Sequence, residues 1–105
     1  MSQFDLYTNT DKNTSKTYPF FIDVQNNLLS SLNSRVVIPL TPVTKNNQPY
    51  PDKLCPVLQI AGKKYALLSQ QMTSISTSFL KKKEISMAIY RNEMIAAIDF
   101  LITGV

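Results

Sequence analysis

Phe4 and Leu6 alternate with Gln3 and Asp5, and Tyr7 follows them, so residues 3–8 read as a half-buried strand. Residues 9–17 are Asn, Thr, Asp, Lys and Ser, turn formers that predict a hairpin loop. A second strand is expected over 18–24, aromatic and β-branched, with Pro19 asking for an edge or a strand start. Residues 26–34 predict an irregular turn that carries Leu28, Leu29 and Leu32 inward. The continuous apolar run of 35–40 has the pattern of a buried central strand, and its Pro39 implies a bulge or strand end. Pro42, Pro49 and Pro51 with Asn46 and Asn47 make a long loop of 41–53, with room for a small accessory hairpin. Strands over 55–60 and 64–68 meet at Ala61-Gly62-Lys63, where glycine can take the positive φ of a tight turn. The second half of 73–79 reads as a last short strand.

From Glu84 onward the period changes. On a wheel at about 100° per residue, Met87, Tyr90, Met94, Ile95, Ile98, Leu101 and Ile102 form a broad apolar face over 85–102. Ile85, Ile89, Ala96 and Phe100 form a second, narrower stripe. One face docks a helix on a sheet, so a second apolar stripe predicts that another chain covers it. The whole is expected as mainly β with one C-terminal helix: five or six antiparallel strands in an SH3-like barrel or strongly twisted sheet.

With 105 residues the chain has the length of one domain, 1–105, with one core. Its rare residues narrow the chemistry further. Histidine is absent, which removes Ser-His-Asp and Cys-His catalysis and the commonest metal ligand. The single cysteine, Cys55, allows no internal disulfide or Cys-rich zinc site, and reads as a buried small hydrophobe. Two glycines, Gly62 and Gly104, cannot build a dinucleotide or Walker loop. No metal and no cofactor are therefore expected. The opening residues lack the basic and apolar regions of a signal peptide, and the C-terminal apolar stretch, broken by Asp99, is too short to span a bilayer. A soluble cytoplasmic protein with no membrane contact is expected.

The net charge of +4 favours an acidic partner without marking nucleic-acid binding. Lys81-Lys82-Lys83 carries no interleaved aromatic for base stacking and reads as a solvated junction. Glu84 and Glu93 read as surface carboxylates. Asp23, set in an apolar strand, could cap a turn, and Arg35 reads as an edge-of-core residue. Ile102-Thr103-Gly104-Val105 ends the chain with a glycine where a helix stop belongs, either a frayed end or an exposed hook for a partner's groove.

Phe4-Asp5-Leu6-Tyr7, Phe21-Ile22-Asp23-Val24-Gln25, Arg35-Val36-Val37-Ile38-Pro39-Leu40, Cys55-Pro56-Val57 and the Gly-Val ending together resemble the CcdB family of toxins from toxin-antitoxin modules. The resemblance implies an SH3-like barrel with a small accessory sheet and a long C-terminal helix, assembled as a homodimer. It also implies a non-enzymatic poison that binds the DNA gyrase A subunit, traps the covalent gyrase-DNA cleavage complex and is neutralised by a CcdA-like antitoxin, with no sequence-specific nucleic-acid binding of its own. Carried over by position, the gyrase contacts fall on Asn92, Asp99 and Ile102 of the helix, on the tail Thr103, Gly104 and Val105, and on Asn26 and Leu28 of the turn after the second strand. The tail departs from the family's familiar Trp-Gly-Ile, and Asp99 stands where that pattern has asparagine. A MazF- or Kid-like endoribonuclease on the same barrel is the alternative, with Arg35 and Asp23 as the one pair to nominate. An inactive relative kept for antitoxin binding is the third reading.

Overall fold

In a computed structural model the described residues are 2–44 and 50–104. Seven strands, β1 (Asp5–Thr8), β2 (Phe20–Asp23), β3 (Ser34–Pro42), β4 (Val57–Ile60), β5 (Lys63–Leu67), β6 (Thr73–Ser76) and β7 (Lys83–Ser86), precede one helix, α1 (Arg91–Thr103). All pairings are antiparallel, in the order β4-β5-β3-β2-β1-β7, with β6 added on β3. The long strand β3 makes the curl: its first half, Ser34 to Val37, pairs with β6, and its last residues, Leu40 to Pro42, pair with β5. One strand serving two neighbours on the same side bends the sheet into a half-barrel. The expected mainly β fold with a C-terminal helix is what forms.

Pro39 is tolerated inside this central strand because of that switch. In an antiparallel ladder, successive residues direct their polar groups to opposite sides. Val36 accepts from Val24 on the β2 side, and Pro39 accepts from Leu68 on the other. The donor that proline lacks would thus point into the gap between the start of β6 and the end of β5, where no ladder partner waits. The β4-β5 hairpin closes through Ala61 and Gly62, both at positive φ (52° and 80°), the geometry of a two-residue turn that follows the twist of the strands.

The main core gathers Leu6, Ile22, Ile38, Leu40, Leu58 and Leu67 from the sheet under Met87 and Met94. α1 lays Met94 and Ala97 onto it, with Ile95 and Ile98 at the margin. The Tyr90 hydroxyl accepts from the Gln59 amide at 3.2 Å, tying the start of the helix to β4. A smaller cluster of Tyr7, Val37 and Leu80 fills another part of the sheet, and Cys55, Ala66 and Leu68 form a third. Phe4 holds a left-handed φ of 70°, uncommon for an aromatic, with its carbonyl accepting from Met87 at 2.8 Å.

Four expectations are corrected. The helix begins at Arg91 and not near residue 85; residues 83–86 are instead a strand on β1, joined to α1 by the 3-10 turn Ala88–Tyr90. Ile85 and Ile89 therefore leave the second helical stripe, of which Ala96 is exposed and Phe100 half-buried. Residues 73–79 pair in their first half and turn in the second, since Ser76 caps the 3-10 turn Thr77–Phe79 through the Ser78 amide. Leu28, Leu29 and Leu32 point outward, Leu28 at 89% exposure, because Asn26 caps a 3-10 turn (Asn27–Leu29) that buries no side chain. The expected accessory hairpin in 41–53 lies partly outside the described residues; its first two residues belong to β3.

Candidate functional site

α1 has one buried face, and the residues opposite it form a line. At about 100° per residue, Asn92, Ala96, Asp99 and Thr103 share a stripe diametrically across from Met94 and Ala97. All four are exposed. The seven-residue spacing of Asn92 and Asp99 thus places both on the free side of the helix, Ile102, 71% exposed, lies at its flank, and Thr103 donates its hydroxyl to the Asp99 carbonyl at 2.7 Å. Ile102 was expected on the docking face, but most of its side chain is left in solvent.

The helix stops at Gly104 in a left-handed conformation, φ 74° and ψ 18°, with its amide donating to the Phe100 carbonyl at 2.9 Å. A Cβ added there would meet nothing within 4 Å, so the glycine answers to its φ alone and the space around it is open. The expected helix stop is confirmed. Val105 lies outside the described residues.

Asn26 and Leu28 sit on a different element. The Asn26 side chain accepts from Leu28 at 2.8 Å, and the Asn27 side chain accepts from Gln3 at 2.8 Å, which ties the turn to the start of the chain. The exposed leucines, the exposed Asn92–Asp99 line and the open helix end are broad surface features.

Asp23 and Arg35 do meet, but in the interior. Both side chains are fully buried, and an Arg35 guanidinium nitrogen stands 2.7 Å from Asp23 Oδ2. Burial pushes the Asp23 carboxyl up, against the pull of the Arg35 hydrogen bond and the Gln25 amide. The same burial, with the Asp5 and Asp23 carboxylates nearby, pushes the Tyr7 hydroxyl up. Arg35 is thus deep in the core rather than at its edge, because Asp23 neutralises it across β2 and β3. A pair sealed from solvent cannot reach a phosphodiester, which removes the one pair nominated for ribonuclease chemistry. Asp5 is the other buried carboxylate, paired to Lys83 at 3.2 Å.

Cys55 is buried, as expected. Burial pushes its thiol up, with the Ser69 amide and Gln70 side chain acting the other way. The thiol should react with Ellman's reagent in the native protein slower by about tenfold or more than in guanidinium. Equal rates in the two states, followed by absorbance, would show an accessible thiol. Among the described residues no group of three or more His, Cys, Asp or Glu is placed to hold a metal, and no helix is long and apolar enough to cross a membrane. Lys81 and Lys82 are exposed between the Thr77–Phe79 turn and β7, as a solvated junction would be, whereas Lys83 is the first residue of β7 and pairs with Asp5.

Compared with known families, residues 3–104 match the model of the CcdB protein.

Proposed function

The chain belongs to the CcdB family and is the toxin of a toxin-antitoxin pair, and from that premise we propose that it binds the DNA gyrase A subunit and traps the gyrase-DNA cleavage complex. The match over nearly the whole chain carries this reading. What supports it locally is the α1 surface: Asn92, Asp99, Ile102, Thr103 and Gly104 are exposed together on the free side and open end of the helix. The Leu28 turn supplies a second, apolar contact area. The protein supplies no chemistry; gyrase cuts the DNA, and the bound toxin keeps it from resealing. The proposed assembly is a cytoplasmic homodimer whose other partner is a CcdA-like antitoxin. Exposed Ile85 (51%) and Ile89 (86%) are apolar surface that such partners would cover.

The test is to incubate the protein with gyrase, ATP and supercoiled plasmid, then treat with detergent and protease. Linear DNA should accumulate with protein concentration. Saturating protein with no linear product would defeat the gyrase reading, and an antitoxin complex without gyrase binding would mark an inactive relative. RNA cleavage in a parallel incubation would restore the ribonuclease reading, and none is expected given the burial of Arg35 and Asp23.

A further inference from the structure

Residues 26–33 are all exposed, so no buried side chain anchors the turn that presents Leu28 and Leu29. An unanchored turn of this length would sample many conformations, and ordering it on binding would reduce affinity. Asn26 and Asn27 fix its near side through Leu28 and Gln3, and the residue before them reaches its Leu29 carbonyl. Gln25 is 7% exposed, and its side-chain amide spans two segments: Nε2 donates to the Leu29 carbonyl at 2.9 Å, and Oε1 accepts from the Val36 amide of β3 at 3.2 Å. The Gln25 backbone is held from below by the buried ion pair, its amide donating to Asp23 Oδ1 at 3.0 Å and its carbonyl accepting from Arg35 Nη2 at 3.4 Å.

The polar groups therefore form one connected path from the core pair, through Gln25, to the far end of the turn. Both ends of the Gln25 amide are used on backbone groups that belong to different elements, and breaking one of these bonds leaves a buried polar atom unsatisfied. An apolar residue would fill the same space and hold nothing on the turn side. We propose that Gln25 is a positioning residue for target binding, fixing the Leu28-Leu29 turn in its outward, binding-ready conformation. The target named here rests on the gyrase reading; the ordering of the turn does not.

Two variants separate this role from plain stability. Gln25→Glu keeps an acceptor for the Val36 amide but sets a carboxylate oxygen against the Leu29 carbonyl, and Gln25→Leu removes both bonds while keeping the volume. Amide hydrogen exchange of the full chain by NMR should quicken by about tenfold or more at Leu28, Leu29, Ser30 and Leu32 in either variant that folds, with the β5 amides unchanged. In the cleavage assay the potency of either variant should fall by about tenfold, and Leu28→Ala should cost less potency in the Gln25 variant than in the wild type, since the side chain is no longer presented. Unchanged exchange across the turn would overturn the proposal. So would a Leu28→Ala cost that is equal in both backgrounds. A wild-type protein inert toward gyrase would defeat the gyrase reading instead, and the exchange arm would still decide whether Gln25 orders the turn.

Discussion

Deleting Gly104 and Val105 is expected to abolish gyrase-dependent linearisation of supercoiled DNA, with a loss of potency of about a hundredfold or more, as removal of an interface hot spot produces. The fold should not notice. Gly104 follows the last residue of α1, donates one hydrogen bond back to Phe100 and has open space where a side chain would be. Its removal costs a few tenths of a kcal/mol and should shift the thermal midpoint by about 2 °C in a domain of this size. Thr103 in place of the family's tryptophan leaves the tail with less apolar area, so more of the contact falls on Ile102 and on the backbone that Gly104 exposes. Full linearisation by the truncated protein, with an unchanged melting curve, would remove the tail from the binding surface.

The second large effect is on stability. Arg35→Met leaves the Asp23 carboxylate buried without its cation, a loss of about 3–5 kcal/mol at neutral pH, where natural domains have about 5–15 in total. The loss depends on pH with a definite sign. Burial already pushes the Asp23 carboxyl above its ordinary 3.8, and removing Arg35 takes away the largest opposing influence. A folded-state pKa above the unfolded one means that the protonated acid favours folding, so stability is fully present below the unfolded value and is lost as pH rises through the folded one. The deficit of Arg35→Met relative to wild type, from urea unfolding, should be smaller at pH 4 than at pH 7.5. Adding Asp23→Leu to Arg35→Met should recover most of it at pH 7.5. A deficit that is equal at both pH values, or a double variant no better than the single one, would show that lost packing and not a stranded charge explains the effect.

β1 to β5 were legible in the sequence to within a few residues because each buries one face or both, and burial leaves a period in the chain. β7 was not. Its four residues are all exposed, so it carries no alternation; it is a strand because β1 offers a free edge, which no local pattern records. That is why Ile85 and Ile89 read as the start of a helix. The placing of Asn92 and Asp99 was legible for the opposite reason: they stand on one line at any register, and that line lies across from the buried Met94 and Ala97. The outward leucines were misread by hydrophobicity, although the Asn pair before them was a capping signal that favoured a tight exposed turn. The Asp23–Arg35 pair lay on neighbouring strands of opposite charge, and strand pairing could have joined them. Gln25 stood in a block that carries the family resemblance, but nothing local marked its bonds to Leu29 and Val36, which the pairing of β2 with β3 brings within reach.

The pairing of β1 with β7 ties residues near the beginning of the chain to residues 83–86. β1 is synthesised long before this neighbour, a long-range pairing of the slow kind. The helix that carries the proposed binding surface follows that neighbour directly. A chain interrupted before residue 83 would therefore lack both the edge strand β7 and the helix that carries the proposed binding surface.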